Sequence, residues 1–192
     1  MNRLSVYKTN PNIVLPAFAT KQAACFDLSF QSAGKFEYSG YNGFNAPFTR
    51  VIHENKIVIM PGDRVMIPTG LIFDIPEGYS VRIHPRSGLS YKQGLILANL
   101  EAVIDSDYVH ETYVLLTNQS ENPISITNGD RIAQAELVKS EEYILWETFE
   151  APTQKTDRVG GLGSTGVAAT TISTDTLTQP VKRGRGRPKK VA

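Results

Sequence analysis

The 192-residue chain reads as an all-β protein, a sandwich or a barrel. Three observations predict this. Turn clusters recur at short intervals, in Pro61-Gly62-Asp63, Pro68-Thr69-Gly70, Pro76-Glu77-Gly78 and Asn128-Gly129-Asp130. Between them stand short runs rich in Val, Ile, Phe and Tyr, the residues that suit a pleated, half-buried surface. Helical periodicity is almost absent, so strands alternating with helices are not the pattern.

Strands are expected over 56–60, 64–67, 71–75, 79–83, 112–117 and 132–138. A turn or two of helix is expected within 87–92, directly after Pro85-Arg86. The apolar run Leu95-Ile96-Leu97-Ala98 reads as a further strand that delivers Asn99 at its end.

Length and composition bound the rest. The length suits one domain with enough chain to bury a real core. The net charge of +1 hides an asymmetry. Six cations (Lys182, Arg183, Arg185, Arg187, Lys189 and Lys190) fall in residues 181–192, leaving −5 on the preceding 180. The single cysteine, Cys25, has no partner for an internal disulfide, in keeping with a reducing compartment. No apolar run approaches the roughly 18 residues of a membrane span, and no signal-peptide pattern opens the chain. A soluble cytoplasmic protein is the expectation.

The residues that bear chemistry cluster between His84 and Tyr108. Pro85-Arg86-Ser87-Gly88 offers a planar guanidinium fork, a hydroxyl and accessible backbone N–H groups, all suited to a phosphate. The same four residues also fit a solvated turn. Val103-Ile104-Asp105 places one carboxylate after an apolar pair, whose bulk would limit its hydration, and Tyr108 follows closely. Hydrolysis of a phosphoanhydride needs an oriented water and a base to take its proton, a role one such Asp can fill. His53, His84 and His110 have no ligand spacing, so the sequence predicts no zinc site. Gly161-Leu162-Gly163-Ser164-Thr165-Gly166 formally matches G-x-G-x-x-G, but no strand leads in and no helix follows, which excludes the dinucleotide reading.

Five stretches in order resemble the trimeric dUTPase family: Ala24-Cys25-Phe26-Asp27-Leu28, Pro85-Arg86-Ser87-Gly88-Leu89, Ala102 to Tyr108, Gly129 to Gln134, and Arg158 to Gly166. The resemblance implies a jelly roll, a homotrimer with shared active sites, and hydrolysis of dUTP to dUMP and pyrophosphate with Mg²⁺. It implies Asp105 as the base that activates water against the α-phosphorus. Asp27 would hold Mg²⁺ through its water shell, and Arg86, Ser87, Gly88 and Gln134 would meet the phosphates. Arg131 is expected to be structural or to stand behind the groups that meet the phosphates, paired with Asp130 or another acid. Tyr108 would lie under the deoxyribose, and Asn99 would assist at uracil. The strand pair flanking 97–104 would present N–H, C=O and N–H to uracil's acceptor, donor and acceptor. Cytosine would then leave unpaired groups, at about 1–3 kcal/mol each. Arg158, Gly161, Leu162, Gly163 and Ser164 would form a glycine-rich arm closing over the triphosphate. This chain departs from the family's usual residues at Cys25, Ala102 and His110, where glycine is common, and at Leu162, where an aromatic is common.

The resemblance divides the chain into a β core over 1–157, an arm over 158–166, a flexible linker over 167–180 and a basic tail over 181–192. Within the core, 32–55 reads as an inserted loop whose aromatics Phe36, Tyr38, Tyr41, Phe44 and Phe48 pack on the body or cover a partner. In the tail, Arg185-Gly186-Arg187-Pro188 resembles the core of an AT-hook, which enters the narrow minor groove of A·T-rich DNA. A nonspecific basic tail is the other reading. Two other functions stay open for the whole chain. One is a deoxycytidine-nucleotide deaminase of the same fold, acting on dCTP or dCMP; the other is a non-catalytic, nucleic-acid-binding or regulatory protein on a dUTPase scaffold.

Overall fold

The computed structural model of the chain describes residues 3–157 and Gly160. Its first strands are β1 (Ser5–Lys8), β2 (Phe26–Ser29), β3 (Glu37–Tyr41), β4 (Pro47–Val51), β5 (Lys56–Ile59) and β6 (Arg64–Pro68). Then come β7 (Leu71–Asp74), β8 (Tyr79–His84), the helix α1 (Ser87–Gln93), β9 (Leu95–Leu97) and β10 (Ala102–Ile104). The series ends with β11 (Tyr113–Asn118), β12 (Ile124–Thr127) and β13 (Arg131–Lys139). Among the described residues this is an all-β chain with one short helix, and none of its helices is long and apolar enough to cross a membrane.

The strands form four antiparallel sheets: β10-β8-β13-β2, β4-β3-β6-β11-β9, β1-β7 and β12-β5. Alternation explains how each meets the core. In β5 and β11 every second residue is buried, Ile57 and Ile59 in one and Val114 and Leu116 in the other. One cluster joins these to Leu28, Phe30, Ile67, Phe73, Val81 and Ile132 from the neighbouring strands. Each such side chain contributes about 1.5–3 kcal/mol by leaving water.

The expectation of a loop over 32–55 is corrected, because the stretch holds a β-hairpin. β3 pairs with β4 from Glu37↔Val51 to Tyr41↔Pro47, and with β6 on its other side. Tyr38 explains the anchoring. Its ring is buried, its hydroxyl donates to the Val58 carbonyl at 2.7 Å, and Phe48 packs edge-on against it. Gly40 is required here, since a Cβ would collide with the Arg64 carbonyl of β6. Arg50 lies over the Phe48 ring and reaches Asp63 at 2.5 Å, a carboxylate only 2% exposed. Phe36, Tyr41 and Phe44 stay exposed.

The last strand ends at Lys139, and a compact unit spans Met1–Ile144, short of the expected core boundary at 157. A second unit begins at Leu145, and its described residues form neither helix nor strand. The segment around that boundary is rich in large apolar side chains. Tyr143, Ile144, Leu145, Trp146 and Phe149 are between 79% and 95% exposed.

Candidate active site

β2 reads Phe-Asp-Leu-Ser, and its alternation buries Phe26 and Leu28 while turning Asp27 to the polar face of the sheet. β13 lies beside it with Gln134 opposite Asp27, and β8 lies beyond with His84 opposite Gln134. β8 then ends in Pro85-Arg86, and α1 begins at Ser87 behind an extended Arg86. Gly94 closes the helix in the left-handed conformation (φ 69°) and donates to the Leu89 and Ser90 carbonyls. The first-turn N–H groups of Ser87 and Gly88 have no partner within the helix.

These elements surround a cavity of about 710 Å³ lined by Cys25, Asp27, Arg86, Ser87, Gly88 and Gln134, among others. Its charges are already arranged. Arg86 Nε lies 3.1 Å from Asp27 Oδ1, and Arg131 Nη1 donates to Asp27 Oδ2 at 3.0 Å. Arg86 also donates to the Arg131 carbonyl at 3.0 Å, and Gln134 Nε2 donates to the Pro85 carbonyl at 3.0 Å. Arg131, expected as structural, thus shares the Asp27 carboxylate with Arg86. Burial pushes the Cys25 thiol pKa up, with smaller contributions from the Glu136 and Asp27 carboxylates.

Asn99, Asp105 and Tyr108 do not line this cavity. β10 runs antiparallel to β8 with Ile104 opposite Val81, so Asp105 leaves the sheet beside Ser80. Ser80 precedes Arg86 by six residues along extended chain, which at about 3.3 Å each is roughly 20 Å. Asp105 is also exposed, as is Val103, so the expected shielding by apolar neighbours is absent within this chain. Of the pair Val103-Ile104, Ile104 turns inward.

The two strands expected to pair around 97–104 do not pair with each other. β9 is the edge of the five-stranded sheet against β11, and β10 is the edge of the four-stranded sheet against β8. Among the described residues the outer side of each therefore has no strand partner. Leu100 turns the chain between them in the left-handed region (φ 62°), whereas Ala102 does not adopt a positive φ. Asn99 lines a separate cavity of about 750 Å³ beside Phe48, Met66 and Leu115.

Tyr108 is held by Glu111, a residue that nothing in the sequence singled out. The Tyr108 hydroxyl donates to the Glu111 carbonyl at 3.0 Å, and its ring meets His110 edge-on. The Glu111 carboxylate takes Lys35 at 2.6 Å, the Gly70 N–H at 3.0 Å and the Tyr113 hydroxyl at 3.1 Å. Burial, then Glu111, raises the Tyr113 pKa. Arg158, Gly161, Leu162, Gly163 and Ser164, with Arg185, Gly186, Arg187 and Pro188, lie outside the described residues.

Comparison with known proteins agrees with this architecture. The dUTPase family model matches residues 48–166. The deoxyuridine 5'-triphosphate nucleotidohydrolase of Caulobacter vibrioides is 36% identical over 166 residues, covering 86% of this chain and 94% of that protein. The dUTPase of Staphylococcus bacteriophage 80alpha superposes with a TM-score of 0.67 at 22% identity, over 87% of this chain and all of that one. A dUTPase of phage phi11 of S. aureus, described with a structural Mg(II) ion, superposes at 0.60 with 20% identity, over 78% of this chain and 98% of that one. These folds are jelly-roll-like, as expected for this chain. Neither the deaminase nor the non-catalytic reading draws support from the matches. From the ordered motifs, the strand topology and these matches together, the chain belongs to the dUTPase family.

Proposed function

We propose that the chain is a dUTP diphosphatase that acts as a homotrimer, each site built from more than one subunit. One observation carries the reading. The cavity that gathers Arg86, Ser87, Gly88 and Gln134 holds one carboxylate, Asp27, whose two oxygens are taken by Arg86 and Arg131, and Asp105 lies roughly 20 Å along the same sheet, too far for one chain to join them. A second subunit that brings its Asp105 to this cavity completes the site. The exposed run of Tyr143, Ile144, Leu145, Trp146 and Phe149 supports assembly, because so contiguous an apolar segment calls for a partner surface.

In this reading Asp105 takes the proton of a water as it attacks the α-phosphorus in line, and dUMP and pyrophosphate separate. Arg86 and the Ser87 and Gly88 N–H groups neutralise the polyphosphate. Among the described residues a Cβ at Gly88 would meet nothing within 4 Å, so their packing does not explain the glycine, and close approach of a phosphate does. Gln134 adds an amide donor. The free edges of β9 and β10, with Asn99, face uracil's polar edge, and the Tyr108 ring supports the deoxyribose. Arg158 and the glycines around Leu162 and Ser164 close over the phosphates.

Asp27 fits Mg²⁺ as a hard oxygen donor at the cavity wall. Both its oxygens already accept from arginines, yet each keeps a further lone pair for a water of the ion's shell. When bound, Mg²⁺ would offset charge on the phosphates. The basic tail adds a second proposal, that Arg185-Gly186-Arg187-Pro188 holds A·T-rich DNA by its minor groove. The enzymatic reading is tested by Asp105→Asn in a pyrophosphate-release assay across the dNTPs. Turnover of dUTP should fall by about 10²–10⁴-fold with binding retained. Near-normal turnover in the folded variant would place the base elsewhere.

A further inference from the structure

The polar face of the four-stranded sheet carries a constellation that the dUTPase reading leaves unused. β2 and β13 pair Phe26 with Ala135, so Cys25, one residue earlier, comes level with Glu136. β13 and β8 pair Gln134 with His84. Side chains two apart on a strand share a face, so Cys25, Glu136 and His84 point to the same side. The Cys25 Sγ, one His84 ring nitrogen and one Glu136 oxygen lie within 4.8 Å of one another, and all three residues are half-buried. Histidine spacing along the chain gave no hint of this; the sheet register assembles it.

We infer that Cys25 Sγ, His84 Nε2 and the Glu136 carboxylate form a site for a borderline-soft divalent cation of the Zn²⁺ class, with a fourth position open to water. The ligand set decides the class. Thiolate, imidazole and carboxylate together suit zinc, whereas Mg²⁺ and Ca²⁺ select oxygen donors. Bonds of about 2.0–2.3 Å would draw the three atoms together by about 1 Å from their present spread. Nε2 already faces inward, 3.1 Å from Glu136 Oε1. The other ring nitrogen, Nδ1, faces Glu101 Oε1 at 3.8 Å, beyond hydrogen-bond distance, and a closer approach of that carboxylate on metal binding would hold the Nδ1–H and leave the Nε2 lone pair for the ion. Arg82, two residues from His84 on the same face of β8, is turned to Glu101 at 3.5 Å and to the Ser80 hydroxyl at 3.2 Å. Binding converts the thiol to thiolate and releases one proton.

The test is a Co²⁺ titration of the full-length, chelator-stripped protein under a phosphine reductant. A thiolate-to-metal charge-transfer band can come only from Cys25, because the chain has one cysteine. We expect the band to saturate near one ion per chain, to be displaced by equimolar Zn²⁺, and to be untouched by excess Mg²⁺. Cys25→Ser, nearly isosteric, should abolish it. His84→Ala and Glu136→Gln should each weaken Zn²⁺ at least tenfold, and Glu101→Gln by about 10–100-fold. Thermal melts matched to the parent keep lost folding from passing as lost binding. Absence of the band in the parent protein overturns the site. So does a band of full strength and affinity in the folded His84→Ala and Glu136→Gln variants, which would mark a bare thiol.

Discussion

Mixing two inactive variants tests the division of the site between subunits. Arg86→Ala removes a guanidinium from the cavity proposed for the phosphates, and Asp105→Asn removes the proposed base. Each alone should lower turnover by about 10²-fold or more. The sheet register puts the two residues roughly 20 Å apart in one chain, so under the proposed shared site a working centre would take one from each of two neighbouring subunits. In a trimer assembled at random from equal amounts, a site works when its Asp105 comes from the Arg86→Ala chain and its Arg86 from the Asp105→Asn chain. Both conditions hold at about a quarter of sites in a cyclic trimer. Co-expressed or co-refolded mixtures should therefore recover about a quarter of the parental pyrophosphate-release rate, at least tenfold above either variant alone. If one chain supplied both residues, every site would keep a lesion. A mixture no more active than the better single variant would refute the shared site.

Arg50→Ala should destabilise the core by about 2–4 kcal/mol, since it strips the buried Asp63 carboxylate of its cation and leaves it the Met60 N–H; differential scanning calorimetry reads this, and an unchanged melt would sink it. Deleting 158–192 should leave a folded core yet abolish efficient turnover, and full activity in the truncated protein would reduce the glycine-rich stretch to a linker. The basic tail should bind duplex DNA with a log–log salt slope of about −5 if every cation engages. A chain truncated after residue 180 should lose that binding. Equal affinity of the full chain for A·T-rich and G·C-rich duplexes would leave only electrostatics.

Strand identity was legible wherever alternation and turn residues agreed, as in 56–60 and 112–117, because those signals are local. The helix at 87–92 was legible for the same reason, set between a proline and the Gly94 cap. The stretch 32–55 was not. Its strands are anchored by Tyr38 on the Val58 carbonyl and by Arg50 on Asp63, contacts that no local pattern encodes. Glu111 was missed as an organiser for the same reason, and Arg131, read as able to pair with an acid, could not be matched to Asp27 from the sequence. Each looks like an ordinary loop or turn residue until the fold brings Lys35 and Tyr113 to one and Asp27 to the other.

By itself the sequence determined the family and the chemistry on offer, since ordered motifs carry residue identity directly: an arginine and a hydroxyl for phosphate, one aspartate after an apolar pair, one tyrosine nearby. The tertiary structure alone decided which of these groups meet. Asp27, Arg86, Arg131 and Gln134 converge because β2, β13 and the end of β8 are neighbours in one sheet. Asp105 is carried away from them because β10 runs antiparallel to β8. Cys25, His84 and Glu136, scattered along the chain, share one face for the same reason. Side chains two residues apart point the same way, and sheet register decides which of them become neighbours across strands.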